Sequence, residues 1–178
     1  RQLDGTVNVA FEEDDDGAIT HMFFDVLPFM PTYRVPWFET QGFTLTLVIA
    51  AVFSSFTAIS GGIRHRWENR NEPEPGLWIA RIAAVMGFLT LAFLGSAAAI
   101  LTSTGDEIFY GIPTSFTAAL VLPHVTAALL VVLAVLLAVA WTRGVFRFWR
   151  RLHYTMFFVA AAGLHWVYLH WNVLGFRY

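Results

Sequence analysis

Residues 115–151 read SFTAALVLPHVTAALLVVLAVLLAVAWTRGVFRFWRR. The stretch from Ser115 to Thr142 holds no charged residue, and the nine residues that follow, 143–151, hold four arginines. A helix needs about 20 predominantly apolar residues to cross the hydrocarbon core of a bilayer, so this stretch predicts a transmembrane helix that ends in a basic connection. Working outward, three further segments have the same character. The charge-free runs are Gly42–Ile63, Ile82–Gly105, Ile108–Thr142 and Leu152–Phe176. They predict spans over roughly 42–63, 77–103, 115–142 and 152–174.

The arginines between these segments are unevenly placed. The connection between the first and second spans carries Arg64, Arg66, Arg70 and, at the helix edge, Arg81. The connection between the third and fourth carries Arg143, Arg147, Arg150 and Arg151, whereas the one between the second and third has only Asp106 and Glu107. Positive residues are retained on the cytoplasmic side during insertion. The expectation is a protein with both arginine-rich connections inside and both termini outside, which an even number of spans requires. The expected fold class is therefore an all-α membrane protein, with four transmembrane helices in a bundle.

Composition agrees. The chain is 57% hydrophobic, against about 45–50% for soluble domains, and its mean hydropathy is +0.58. The seven tryptophans, at 37, 67, 78, 141, 149, 166 and 171, fall mostly near predicted span ends, where an indole keeps its ring in the apolar layer and its N–H in the headgroups. There is no cysteine and no lysine, which removes thiolate ligation and thiol chemistry.

The first 41 residues are different. They carry eight acidic residues against Arg1 and Arg34, a solvated segment with no basic surface for nucleic acid. Residues 6–11 and 18–24 alternate on a strand period, and the acidic turn Glu12–Gly17 between them ends in Asp-Gly. This predicts a β-hairpin over 6–24, lying outside the cytoplasm. A calcium loop is the competing reading of the Asp run. It fails because the acids are contiguous and no late Glu follows at the spacing that an EF-hand needs. Residues 25–41 contain three prolines, at 28, 31 and 36, and read as a Pro/aromatic linker on the outer membrane boundary. An isolated hairpin is marginal in water, so the segment reads as the end of a larger β-domain. A chain that starts at Arg1 with a polar stretch is expected to be cut from a longer exported polypeptide.

Candidate chemistry within the spans is sparse. His124 follows Pro123, and His165 and His170 lie near the outer end of the fourth span. Intramembrane ionisable groups are functional candidates by default, and His124 with one of the other two could hold a haem. His165 and His170 are five apart, about 140° around a helix, so they do not share a face. The preferred reading is structural. At Pro123 the missing N–H leaves the Ala119 carbonyl without its helical donor, and His124 or Thr126 could serve the polar groups of the resulting kink. No Asp or Glu lies inside a span, no Gly-x-Ser-x-Gly occurs, and Ser-x-x-Lys is impossible without lysine. No catalytic residue, metal site or cofactor is expected in this chain. Ala83, Gly87, Leu91, Gly95 and Ala99 recur four apart in the second span, and the first carries Ser54, Ser55, Ala58, Gly61 and Gly62. These small-residue faces are expected to meet.

Three stretches together carry a resemblance. They are Val-Ala-Phe-Glu-Glu-Asp-Asp-Asp-Gly at 9–17 with Tyr33-Arg34-Val35-Pro36-Trp37; Gly111-Ile112-Pro113 with Ala140-Trp141; and Arg151-Leu152-His153-Tyr154-Thr155 with the terminal 171–178. The chain resembles the C-terminal region of membrane-anchored bacterial serine hydrolases of the beta-lactamase and penicillin-binding-protein-like family. The resemblance implies an exported catalytic domain upstream, then a small β-domain, then C-terminal spans in the bacterial cytoplasmic membrane. The family's catalytic Ser, Lys and Tyr all lie upstream, so none maps onto this chain. The expected function is that of a membrane anchor, with the lipid bilayer and the upstream catalytic domain as partners. The alternative is a small haem-binding or quinone-interacting membrane subunit that uses His124 with His165 or His170.

Overall fold

The computed structural model describes residues 8–25, 27–68, 74–104 and 113–174. Residues 6 and 7 of the expected hairpin, Asp106, Glu107, and most of the turn around Pro73 lie outside the described residues. The chain divides into two compact units, Arg1–Thr44 and Leu45–Tyr178.

In the first unit, strands β1 (Val9–Glu13), β2 (Ile19–Phe24) and β3 (Leu27–Tyr33) form an antiparallel sheet in the order β1-β2-β3. The β1–β2 hairpin pairs Val9 with Phe24 and Glu12 with His21, and its register shifts between Glu12 and Glu13. The acidic run closes the turn. The Asp14 carboxylate accepts the Asp16 N–H at 3.1 Å and the Ala18 N–H at 2.8 Å, and Gly17 adopts φ +79°, which glycine reaches without steric cost. The strands run later than the sequence suggested, because Glu12 and Glu13 belong to β1 and not to the turn. The larger departure is β3, which occupies residues read as linker. Its prolines, Pro28 and Pro31, fall between Leu27 and Thr32, where the β2–β3 register shifts and the ladder is interrupted. An edge strand can lack a ladder donor there. A 3-10 turn, Trp37–Glu39, follows, and the Thr40 hydroxyl donates to the Trp37 carbonyl at 2.7 Å.

The second unit is helical. The helices are α1 (Gln41–Glu68), α2 (Glu74–Thr104), α3 (Thr114–Ala119), α4 (Val121–Arg143) and α5 (Phe148–His170); α1 begins within the first unit. Among the described residues, four helical segments are long and apolar enough to cross a membrane: 41–64, 76–103, 114–143 and 148–170. The third of these is α3 and α4 in succession. It breaks at Leu120, three residues before the expected kink. The break has a physical reason: it places Pro123 in the first turn of α4, where backbone N–H groups have no intrahelical acceptor and a missing one costs little. The fourth helix is offset from its expected 152–174. It starts at Phe148 and ends at His170, where Asn172 turns left-handed with φ 57°. The Val173 N–H then closes back on the Tyr168 carbonyl at 2.7 Å, which ends the helix. Gly144, at φ 64°, caps α4 in the same way, with its N–H on the Ala140 carbonyl.

Helix α4 packs against α2 and α5. Helix α1 meets α2 where glycine permits it. A Cβ on Gly87 would lie 3.0 Å from the Ser55 carbonyl oxygen, and one on Gly62 would lie 2.7 Å from Ala84 Cβ. Gly95, expected on the same face, has nothing within 4 Å of such a Cβ, so the close approach covers only part of the small-residue stripe. Helix α1 also reaches α5, where a Cβ on Gly163 would lie 3.0 Å from Leu47 Cδ2. Two buried clusters result. One gathers Ala58, Ile79, Ala83, Met86, Leu133, Leu137 and Phe157. The other gathers Ala51, Phe93, Leu120, Leu164 and Tyr168.

Candidate functional site

The break in the third helical segment brings its polar groups together with α5. His124 lies one turn into α4. Its Nδ1 is 2.7 Å from the Leu120 carbonyl oxygen and its Nε2 is 3.2 Å from the Leu174 carbonyl oxygen. Leu120 is the residue at the break, and a neutral imidazole donates its one N–H either to that carbonyl or to the Leu174 carbonyl in the chain leaving α5. The carbonyl within reach at the break is that of Leu120, not the Ala119 carbonyl that an uninterrupted helix would have orphaned.

The buried pair Thr126 and His165 joins α4 to α5. His165 Nδ1–H donates to the Ala161 carbonyl at 2.8 Å, one turn back along its own helix. Its Nε2 is 3.1 Å from Thr126 Oγ1, and that hydroxyl is also 3.0 Å from the Pro123 carbonyl. With Nδ1 protonated, Nε2 is an acceptor, so the single proton of the Thr126 hydroxyl goes either to Nε2 or to the Pro123 carbonyl within an apolar interior. Tyr168, one turn further on, sits edge-to-face with His165 at 5.5 Å and with Phe93 at 5.3 Å. Its hydroxyl is buried and has no hydrogen-bond partner among the described residues. His170 is not part of this cluster. It is exposed on the other side of α5, stacked on Trp166 at 5.3 Å and edge-on to Trp171 at 5.7 Å. The divergence of His165 and His170 follows from their five-residue spacing. Among the described residues no three His, Cys, Asp or Glu side chains gather as a metal site.

Sequence reading singled out His124, His165 and, as a hydroxyl at the kink, Thr126, but not the pairing of Thr126 with His165. Thr126 pairs with a residue 39 positions away, and that contact depends on the rotation of two helices. Tyr168 carried one sequence signal, its three-residue spacing from His165, which puts both on one helical face.

A second polar feature, unforeseen in the sequence, lies at the other end of α4. The Arg151 guanidinium carbon lies over the Trp141 ring at 4.9 Å, and that of Arg150 over Phe146 at 4.5 Å. Trp141 Nε1–H donates to Thr155 Oγ1 at 3.1 Å, and the Thr155 hydroxyl donates to the Arg151 carbonyl at 2.8 Å.

Comparisons with protein-family models, with curated protein sequences and with solved structures give no significant match.

Proposed function

We propose that α1, α2, α3–α4 and α5 form a membrane-embedded bundle that anchors the N-terminal sheet unit at the outer face of a bacterial cytoplasmic membrane, with both termini outside. One observation carries this reading: the outward faces of the helices are apolar like the interior, where a protein folded in water would be polar. Ser55, Thr90, Thr126 and His165 are buried, while Phe53 is 71% exposed, Phe88 65%, Val131 66% and Leu169 66%. A helix that is apolar on its outward face as well as its inward one suits lipid, and large contiguous apolar surfaces are rare on soluble monomers. The exposed Trp78, Trp141 and Trp149 lie near helix ends, as interfacial indoles do.

Within this reading, the tethered activity is a serine hydrolase of the beta-lactamase and penicillin-binding-protein-like family, carried by an upstream part of the same polypeptide. The resemblance of the three sequence stretches supports it. The anchor reading is also favoured over the haem-subunit reading by the imidazoles themselves. His124 donates to one of two carbonyl oxygens within reach, and both nitrogens of His165 lie within hydrogen-bonding distance of protein oxygens, so each ring has a structural use that competes with ligation. The test is to express the full-length gene product and treat its membranes with a fluorophosphonate or beta-lactam probe. Covalent labelling at a serine upstream of Arg1, in a band that resists carbonate extraction, is the expected result. A labelled serine within residues 1–178, or a full-length product that carbonate releases, would contradict the proposal.

A further inference from the structure

His124 and His165 face different kinds of partner. The buried His165 ring meets one acceptor and one hydroxyl: Nδ1–H donates to the Ala161 carbonyl, and Nε2 lies 3.1 Å from Thr126 Oγ1, which can donate to it. One ring proton is enough for both contacts. His124 meets two acceptors. Its Nδ1 is 2.7 Å from the Leu120 carbonyl oxygen and its Nε2 is 3.2 Å from the Leu174 carbonyl oxygen. A carbonyl oxygen cannot donate, so only the imidazolium, with a proton on each nitrogen, makes both bonds at once. In the neutral ring, one nitrogen turns a lone pair toward a carbonyl oxygen.

The two carbonyls belong to distant parts of the chain. Leu120 is four residues back, at the α3–α4 break, and Leu174 is fifty residues on, in the turn that follows α5. The neutral ring favours the shorter, local contact, so Leu174 is the partner given up. The turn is otherwise held by backbone and packing. Asn172 is left-handed at φ 57°, and the Val173 and Leu174 N–H groups reach the Tyr168 carbonyl at 2.7 and 3.4 Å. The second of these is long for an N–H···O bond. Val173 and Leu174 pack on the cluster around Phe93 and Tyr168, so the imidazole adjusts the hold on the turn and not the fold of the bundle.

The ionisable groups around His124 are few. Helix α5 supplies His165 and Tyr168, with His170 exposed on its other side. Residues 42–63 of α1, 82–104 of α2, all of α3, the rest of α4 before Arg143 and residues 171–174 supply none. Asp106, Glu107, Tyr110 and Arg177 lie outside the described residues. His124 is half-buried, which spares an imidazolium full desolvation. Its place in the first turn of α4 disfavours a cation, and the two carbonyl oxygens offset this.

We propose that His124 is a protonation latch. As imidazolium it holds the Leu120 and Leu174 carbonyls together and pins the turn after α5 across the α3–α4 break. As neutral imidazole it keeps the Leu120 carbonyl and loosens that turn. Histidine changes charge between about pH 5 and 8, which sets the range of the switch. The latch belongs to the helical unit alone; that it responds to pH outside the cytoplasm rests on the membrane reading above.

Trp171 is exposed within the turn, and the chain has no cysteine. A spin label on Trp171→Cys, in the purified full chain in detergent, reports the mobility of the turn between about pH 5 and about pH 8. The ratio of immobile to mobile label is expected to fall about tenfold as pH rises across this range, the worth of one hydrogen bond to a charged group. His124→Gln donates without titrating and should abolish the change, whereas His170→Gln and His153→Gln should retain it. A constant ratio in the otherwise unaltered chain, a change that persists in H124Q, or one lost equally in H170Q would overturn the latch. Nitrogen-15 NMR of the histidine-labelled wild type needs no variant. The His124 ring, assigned through its proximity to Leu174, should carry protons on both nitrogens at the acid end and on one at the alkaline end. A ring with one proton throughout would overturn the latch whether or not H124Q folds. Because both measurements are made in detergent, a failure of the membrane reading would leave their result unchanged.

Discussion

Within the apolar α4–α5 contact, the Thr126 hydroxyl supplies a buried polar link. Replacing it with valine keeps the shape and leaves His165 Nε2 and the Pro123 carbonyl without a shared partner. The expected cost for Thr126→Val is about 1–2 kcal/mol, the penalty for an unmet buried polar group, tempered because interhelical hydrogen bonds in membranes are of modest strength. Thr126→Ser should retain most of the stability. Equal melting temperatures in detergent for both variants and wild type would show that the hydroxyl has no such role. Tyr168→Phe is the converse. The phenolic hydroxyl is buried without a described partner, so its removal should be neutral or stabilising. Purified protein should show no Soret band; a band that vanishes in His124→Gln would promote the haem-subunit reading over the anchor. At this scale the sequence exposed what local chemistry dictates. Pro123 announces a backbone defect, and the neighbouring His124 was legible as its remedy. The Thr126–His165 pair was not, because nothing in either segment specifies the rotation that brings them together.

For the elements, length and charge located the four apolar helices, and local backbone chemistry shifted their ends. A proline in a long apolar run reads as a kink at the proline. The chain instead breaks at Leu120 and restarts, since a helix accepts proline in its first turn. The end of α5 at His170 depends on Asn172 going left-handed, a conformation that asparagine tolerates but does not announce. β3 was illegible because Pro28 and Pro31 argue against a strand unless it is known to lie at an edge. The small-residue stripe of α2 was half legible: spacing identified Gly87 and Gly95 together, but only Gly87 is against α1. Gly87→Leu should therefore force α1 and α2 apart and cost about 1–3 kcal/mol or more, as overpacking does. Gly95→Leu should be tolerated within about 0.5 kcal/mol, as substitutions away from packed features usually are. Paired thermal melts in one detergent check this, and a larger loss at Gly95 than at Gly87 would contradict the packing of α1 on α2.

At the scale of the whole molecule, the distribution of arginine carries information that helix packing does not. Packing would be the same in either orientation across a bilayer, whereas the proposed topology takes its orientation from the basic connections at 64–81 and 143–151. Which helices are neighbours was not legible in the same way. Four spans of similar length admit several arrangements, and the contacts of α4 with both α2 and α5 follow from side-chain fit. The central claim is that these helices cross the membrane four times with both basic connections inside. Because the chain has no cysteine, single cysteines at Glu74, Gly144 and Asp106 give a direct measurement. An impermeant thiol reagent applied to intact cells should label the Asp106 site alone, and the other two only after the membrane is opened. Labelling of Glu74 or Gly144 in intact cells would contradict the topology.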